Sequence, residues 1–424
     1  MSCVDEINKK YLCLGCGACE AICPKEAIKM ELNDVYMPKI DTDRCILCGN
    51  CIDICPGISP LSLEYFLEEN QNSNNLIGRY ISCYFGHTTD FNIRYDSSSG
   101  GIATSLICHL LENKLIDGAI LTKMDSDNPL RAESFIARTT ADVITSKGSK
   151  YCPTSPVKVI KQIRNSKSEE KFAFVGLPCH INAIRKLQKK YPWIKEKIVL
   201  SIGIFCSHGV TEDGTINLFR KFDINSDEIS SLRYRGHGWP GGISINYKNS
   251  CEVFIPLREY WVPLFSAYFF TPPRCLTCSD LTAELADISL GDAWLPEIEK
   301  NDNAGTSIII TRSEIGEQII NSMEQKNEVR IINSNVEKII RSQKGIINRK
   351  KINIIPRINI LKFFGIPIPN IDITLPSNQK HYFGAFLPII NVFFSDMKIG
   401  QRIINIMPLN ILKKYSKYVL KHCK

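Results

Sequence analysis

A chain of 424 residues is too long for one small domain and predicts two or three. Its formal charge of +8 is uneven: from Lys326 onward 18 Lys and Arg face 4 Asp and Glu, a net +14, which leaves residues 1–325 at −6. The mildly acidic larger part excludes a nucleic-acid binder, and the longest apolar run, residues 385–390, is far short of the roughly 20 residues of a membrane span. Eighteen cysteines, with no apolar signal-type run among the first residues, predict a reducing cytoplasm and thiols that ligate metal rather than form disulfides.

The first 60 residues carry a repeat. It reads Cys13-x2-Cys16-x2-Cys19-x3-Cys23-Pro24, then Cys45-x2-Cys48-x2-Cys51-x3-Cys55-Pro56. Three thiolates at x2 spacing wrap one face of an iron–sulfur cube, and the fourth of each run reaches the other cube. Cys13, Cys16, Cys19 and Cys55 are therefore assigned to one [4Fe–4S] cluster, and Cys45, Cys48, Cys51 and Cys23 to a second. A zinc pair or a disulfide scaffold gives no reason for the repeated x3-Cys-Pro. Residues 68–75, rich in Glu, Asn, Gln and Ser, read as a linker.

A new domain is expected from Arg79. Ser97-Ser98-Ser99-Gly100-Gly101 precedes a stretch, residues 102–112, with helical periodicity. Open N–H groups at such a helix start suit a pyrophosphate, and an ordinary capped helix gives the same string. Lys147-Gly148-Ser149-Lys150-Tyr151 is either a phosphate grip or a solvated loop. Apolar strands are predicted over 172–175 and 198–205, with a helix over 180–191 between them. Each strand runs on to a cysteine, Cys179 or Cys206, which places both thiols at the carboxyl edge of a parallel sheet, where α/β folds put their sites. With Cys275-x2-Cys278 these make a candidate third [4Fe–4S] set; the alternative is two buried cysteines and an unrelated CxxC.

The strings Gly-Leu-Pro-Cys179, Gly203-Ile-Phe-Cys206, Arg274-Cys275-x2-Cys278-x-Asp280 and Ala286-Asp-Ile-Ser-x-Gly-Asp292-x-Trp294 resemble, in this order, the family of coenzyme F420 hydrogenase/dehydrogenase beta subunits, named for a deazaflavin cofactor. The segments 98–101, 147–151 and Arg235-Gly-x-Gly-Trp239 resemble the same pattern. The resemblance covers about residues 1–325. It implies a non-covalent FAD, one [4Fe–4S] cluster in the core and hydride exchange with the deazaflavin. The fused ferredoxin module is similar both to free-standing dehydrogenase members and to bacterial members that accompany surface-polysaccharide genes.

The expected architecture is therefore α+β: a two-cluster ferredoxin-type domain (1–62), a linker (63–78), an α/β domain holding FAD and the third cluster (79–325), and a mostly helical basic extension (326–424). The expected function is electron transfer between a hydride carrier and a redox protein or small one-electron carrier. Three [4Fe–4S] clusters and FAD serve it, with coenzyme F420 as the hydride substrate. The alternatives are a ferredoxin-driven flavin reductase of a small or lipid-linked substrate, and a non-catalytic relay subunit. Candidate FAD contacts are Ser98, Ser99, Gly100, Gly101, Lys147, Ser149, Lys150, Tyr151 and Arg235, with Arg233 a further cation; no catalytic side chain is assigned, because hydride transfer needs positioning rather than a protein nucleophile. No GxGxxG follows a strand, so NADH is not the expected donor. Residues 398–421 interleave apolar positions with Lys413, Lys414, Lys417 and Lys421, and Pro408 should interrupt the helix. This stretch reads either as a helix packed on its own domain or as a peripheral contact with an anionic membrane face.

Overall fold

In a computed structural model of the chain, residues 3–4, 9–61, 71–371 and 381–423 are described. Each N-terminal repeat builds the same unit. Gly17 (φ +85°) and Gly49 (φ +75°) stand immediately before short helices, α1 (Ala18–Ile22) and its counterpart Asn50–Asp53. The left-handed backbone that glycine permits turns each cysteine loop into its helix. Between these helices, strands β1 (Ile28–Leu32) and β2 (Tyr36–Ile40) form an antiparallel pair.

The linker expected over 63–78 is not one open stretch. Residues 62–70 lie outside the described residues, and β3 (Asn72–Asn74) pairs with β4 (Gly78–Tyr80) as a hairpin. The turn hides in polar composition: Asn74 Oδ1 accepts the Leu76 N–H, and buried Ile77, with Leu76 and Tyr80 partly buried against the same cluster, anchors the hairpin among Cys83, Ile308 and Ile310.

The main sheet begins with β5 (Ser82–Thr88) and helix α2 (Ile102–Glu112), then β6 (Gly118–Met124), β7 (Ala132–Ala137), β8 (Phe172–Gly176), helix α3 (Pro178–Lys190) and β9 (Ile198–Ile204). A separate antiparallel sheet of β10 (Ile229–Arg233), β11 (Gly242–Tyr247) and β12 (Glu252–Pro256) intervenes. The chain then returns with β13 (Ile288–Asp292), β14 (Ser307–Thr311) and β15 (Val329–Asn333), giving the order β15-β5-β14-β13-β9-β8-β6-β7. Its centre, β13-β9-β8-β6, is parallel. That explains the near-continuous apolar runs in β8 and β9: both faces are covered.

Helix α2 covers one face with Leu106, Ile107 and Leu110. Helix α3 covers the other with Ile181, Ile184 and Leu187, and the same cluster contains Cys16, Ala18, Ile22 and Ile54 from the cysteine repeats. The Val157 N–H donates to the Cys16 carbonyl at 3.0 Å, and Lys186 Nζ donates to the carbonyl of Ser59 at 2.6 Å. The N-terminal module is thus a wall of the larger domain.

The extension expected from 326 starts too early, because β15 is an edge strand of the main sheet, antiparallel to β5. Beyond β15 the described elements are helices, among them α4 (Val336–Ile347), α5 (Ile354–Phe363), α6 (His381–Asp396), α7 (Lys398–Ile406) and α8 (Leu409–His422), with Pro408 separating the last two as expected. Its cations are not all surface groups: Lys350 and Arg357 are 2% and 1% exposed. Among the described residues no single helix is long and apolar enough to cross a membrane.

Candidate metal centres and cofactor site

The structure brings Cys13, Cys16, Cys19 and Cys55 around one hollow, and Cys23, Cys45, Cys48 and Cys51 around another. Each hollow takes three cysteines from one repeat and the fourth from the other. The remaining lining is largely apolar, so the donor set is sulfur alone. Among the described residues no three His, Cys, Asp or Glu side chains meet closely enough to hold a single ion. Thiols that ring a hollow suit a cube and not a lone zinc. Burial pushes the Cys13 thiol up to about 11 and Cys16 up to about 12, so these groups ionise only where iron offsets the lost hydration.

Cys179 lies in the first turn of α3, directly beyond β8, and Cys206 lies two residues beyond β9. Cys275 and Cys278 arrive on the turn at Pro273–Thr277. The four thiols act on one another's charge, and burial drives Cys206 up to about 12 and Cys179 well above its usual range. The Gly209 N–H donates to Cys275 Sγ at 3.4 Å. Lys350 Nζ donates to Cys278 Sγ at 3.3 Å and to the Cys206 carbonyl at 3.0 Å. Burial opposes the charge of Lys350, but the Cys278 and Cys206 sulfurs more than offset it and hold the ammonium protonated. Cys16 also acts on Cys179, so this set adjoins the first hollow, and Cys51 acts on Cys19, so the two hollows adjoin each other.

Sequence reasoning missed Lys350. The available signal was three successive cations, Arg349, Lys350 and Lys351, set between Ile347 and Ile352. All three are buried.

The segments proposed for FAD converge. Ser98 Oγ accepts the Ser149 N–H at 2.7 Å, and Arg235 donates to the Ser98 carbonyl, to Tyr151 Oη at 3.1 Å and to Asp292 at 3.2 Å. No side chain caps the start of α2. The cations are less free than their sequence suggests. Lys147 pairs with Asp96 at 3.0 Å, and Arg233 reaches the same carboxylate at 3.6 Å. Burial opposes the Asp96 charge, but these two cations hold its carboxyl below the usual range. Lys150 is different: its ammonium donates only to the carbonyls of Ser146, Lys147 and Gly148, and burial lowers it to about 7. Arg235 Nε, Trp239 Nε1 and Ser97 Oγ are buried without a partner. Unpaired donors beside an uncompensated lysine fit an anionic, acceptor-rich group such as a flavin dinucleotide.

Gly101 also answers a demand of the fold itself. Its φ is +75°, and a Cβ there would lie 2.7 Å from Thr88 Cγ2 and 3.2 Å from Arg94 Cα. Glycine is required by the fold. Gly101→Val should destabilise flavin-free protein by about 3 kcal/mol, from the left-handed backbone and the overpacking together. A denaturant melt of flavin-free protein checks this; an unchanged midpoint would contradict it.

Two aromatic groups escaped sequence reasoning as well. Tyr151 and Trp261 rings lie 4.5 Å apart, and Trp261 stacks on His208 at 5.7 Å and 19°. His208 adjoins Gly209, the donor to Cys275, so this row links the Arg235 region with the third thiol set. Neither Trp261 nor His208 lies in a motif.

The family profile for the coenzyme F420 hydrogenase/dehydrogenase beta subunit, C terminus, matches residues 169–336, and the profile for its N-terminal part matches 83–161. A 4Fe-4S dicluster domain matches 5–70. The chain belongs to the family of coenzyme F420 hydrogenase/dehydrogenase beta subunits. It is similar to the coenzyme F420-dependent sulfite reductase of Methanocaldococcus jannaschii, 26% identical over 77% of this chain and 48% of that protein. This chain therefore spans about half of that relative. It is also 26% identical to the F component of the F(420)H(2) dehydrogenase of Methanosarcina mazei, over 77% of this chain and 86% of that one. In fold it resembles a chain of the F420-reducing [NiFe] hydrogenase complex from Methanosarcina barkeri, with a TM-score of 0.55 and 22% identity over 72% of this chain and 99% of the other. The family match ends at Val336, the first residue of α4, so helices α5 to α8 lie outside it.

Proposed function

We propose that the protein is an iron–sulfur flavoprotein oxidoreductase that moves electrons between a deazaflavin hydride carrier and a one-electron carrier, with FAD and three [4Fe–4S] clusters. The observation that carries this reading is contiguity. The Lys150–Arg235 region, the row Tyr151–Trp261–His208, the thiol set of Cys179 and the two N-terminal hollows follow one another, and the last reaches the surface at exposed Cys48. A flavin bound at the first of these would supply the exchange between a two-electron hydride and single electrons.

The chain's own residues do the rest. Arg235, held by Asp292 and Tyr151, fixes a permanent cation at the site, and Lys150 supplies a second that an anion can recharge. The thiolates hold iron and set the spacing of the clusters. At the exit, Ile46 and Leu47 are 57% and 60% exposed beside the second hollow, an apolar contact for a redox partner.

Anaerobic protein should be reduced by reduced coenzyme F420 and not by NADH, read as bleaching of flavin absorbance. Bleaching by NADH alone would overturn the deazaflavin reading. FAD affinity should also depend on pH through Lys150. The free protein loses this proton near pH 7, and an anion binds the protonated form, so affinity should be flat below about pH 6 and fall up to tenfold per unit above about pH 7. Lys150→Gln should bind more weakly at low pH and lose the slope, as fluorescence titration of deflavinated protein would show.

A further inference from the structure

The last helices are held by one face only. Ile404, Leu412 and Val419 are buried against the domain. The other faces carry large apolar side chains into solvent. Phe383 and Phe386 on α6 are 50% and 38% exposed, and Ile399, Ile403 and Ile406, at helical spacing on α7, are 64%, 37% and 81% exposed. Phe363, at the end of α5, is 85% exposed. Twelve of the 21 exposed large hydrophobic side chains among the described residues lie from Phe363 onward, a segment that holds about an eighth of those residues. So many exposed apolar side chains in one short segment mark a contact surface.

The charge on this segment has one sign. Between His381 and Cys423 the single acidic residue is Asp396, and Lys10 engages it at 2.5 Å. Lys413 pairs with Glu259 at 2.9 Å. Among the described residues Lys398, Arg402, Lys414, Lys417 and Lys421 have no carboxylate partner.

We propose that the outward face of helices α6, α7 and α8, with Phe363 at the end of α5, docks on an anionic lipid bilayer. A second copy of the chain would set cation against cation on this face. A bilayer with acidic headgroups offers both complements at once, negative charge for the lysines and an apolar boundary for the Phe and Ile side chains. The helices are built to lie on it rather than cross it: α6 has 16 residues, α7 has 9, and they bend by 99° at their junction. This surface goes beyond the redox reading and does not depend on it, and either can fail while the other stands.

Vesicle flotation with the full-length protein tests it. The protein should rise with vesicles of phosphatidylcholine and phosphatidylglycerol, stay behind with phosphatidylcholine alone, and be released by high salt. The triple variant Lys414→Glu, Lys417→Glu, Lys421→Glu should bind the anionic vesicles at least ~100-fold more weakly. Ile399→Glu with Ile406→Glu should lose flotation as well; both side chains are exposed, so iron content and melting midpoint should be those of the parent. Equal binding to neutral and anionic vesicles, or no binding to either, overturns the proposal. Concentration-dependent dimerisation abolished by the isoleucine variant, with no flotation, would give the face to a second copy instead.

Discussion

Anaerobically reconstituted protein is expected to carry about twelve iron atoms per chain, three cubes of four. Cys179→Ser should bring the count to about eight, and Cys206→Ser should do the same. The two N-terminal hollows would be untouched, because Cys179 belongs to neither lining. The parallel pairing of β8 and β9 sets two thiols side by side, and the turn at Pro273–Thr277 brings Cys275 and Cys278 to them. Loss of one ligand leaves three thiols where a cube needs four, and burial raises the Cys275 thiol against ionisation without iron. Iron and sulfide analysis checks this. A parent count near eight, unchanged in both variants, would remove the third cluster and return Cys179 and Cys206 to the class of buried structural cysteines.

Lys350→Met should lower the midpoint potential of the third cluster while leaving the other two where they are. A cation that donates to Cys278 Sγ stabilises the reduced, more negative form more than the oxidised one. Removing it should cost on the order of tenfold in the reduction equilibrium, which is about 59 mV for one electron. Lys350→Arg keeps the charge and should shift the potential much less. A purely structural role would alter stability in both variants and move neither potential selectively. Potentiometric titration followed by electron paramagnetic resonance separates these outcomes, and it reads the cluster rather than turnover.

How much of this could be read in advance depends on how local the cause is. The grouping of the N-terminal cysteines follows from spacing within two short loops, so both sets of four were legible in the sequence. The strands β8 and β9 were legible because a strand covered on both faces must be apolar throughout. Edge strand β15 was not, since its burial alternates poorly and Ile332 is 74% exposed, which makes it resemble the basic segment it opens. Ile77 was hidden by its polar neighbours. The packing demand on Gly101 was not legible, because an open helix start and a tight packing contact both ask for glycine. The run of cations at Arg349, Lys350 and Lys351 was visible, but the partner of Lys350 was not, because Cys278 lies 72 residues away in sequence and no local pattern joins them.

The central claim is that one chain joins a flavin to three clusters in sequence. Rapid mixing of anaerobic protein with reduced coenzyme F420, for parent and Cys179→Ser, tests it most directly. In the parent, flavin absorbance should fall first and iron–sulfur absorbance should follow. In Cys179→Ser the flavin stage should survive while the iron–sulfur stage slows by at least about tenfold, since the set between flavin and the N-terminal clusters is gone. Iron–sulfur bleaching at the parental rate in the variant, or no loss of flavin absorbance in the parent, would contradict the account.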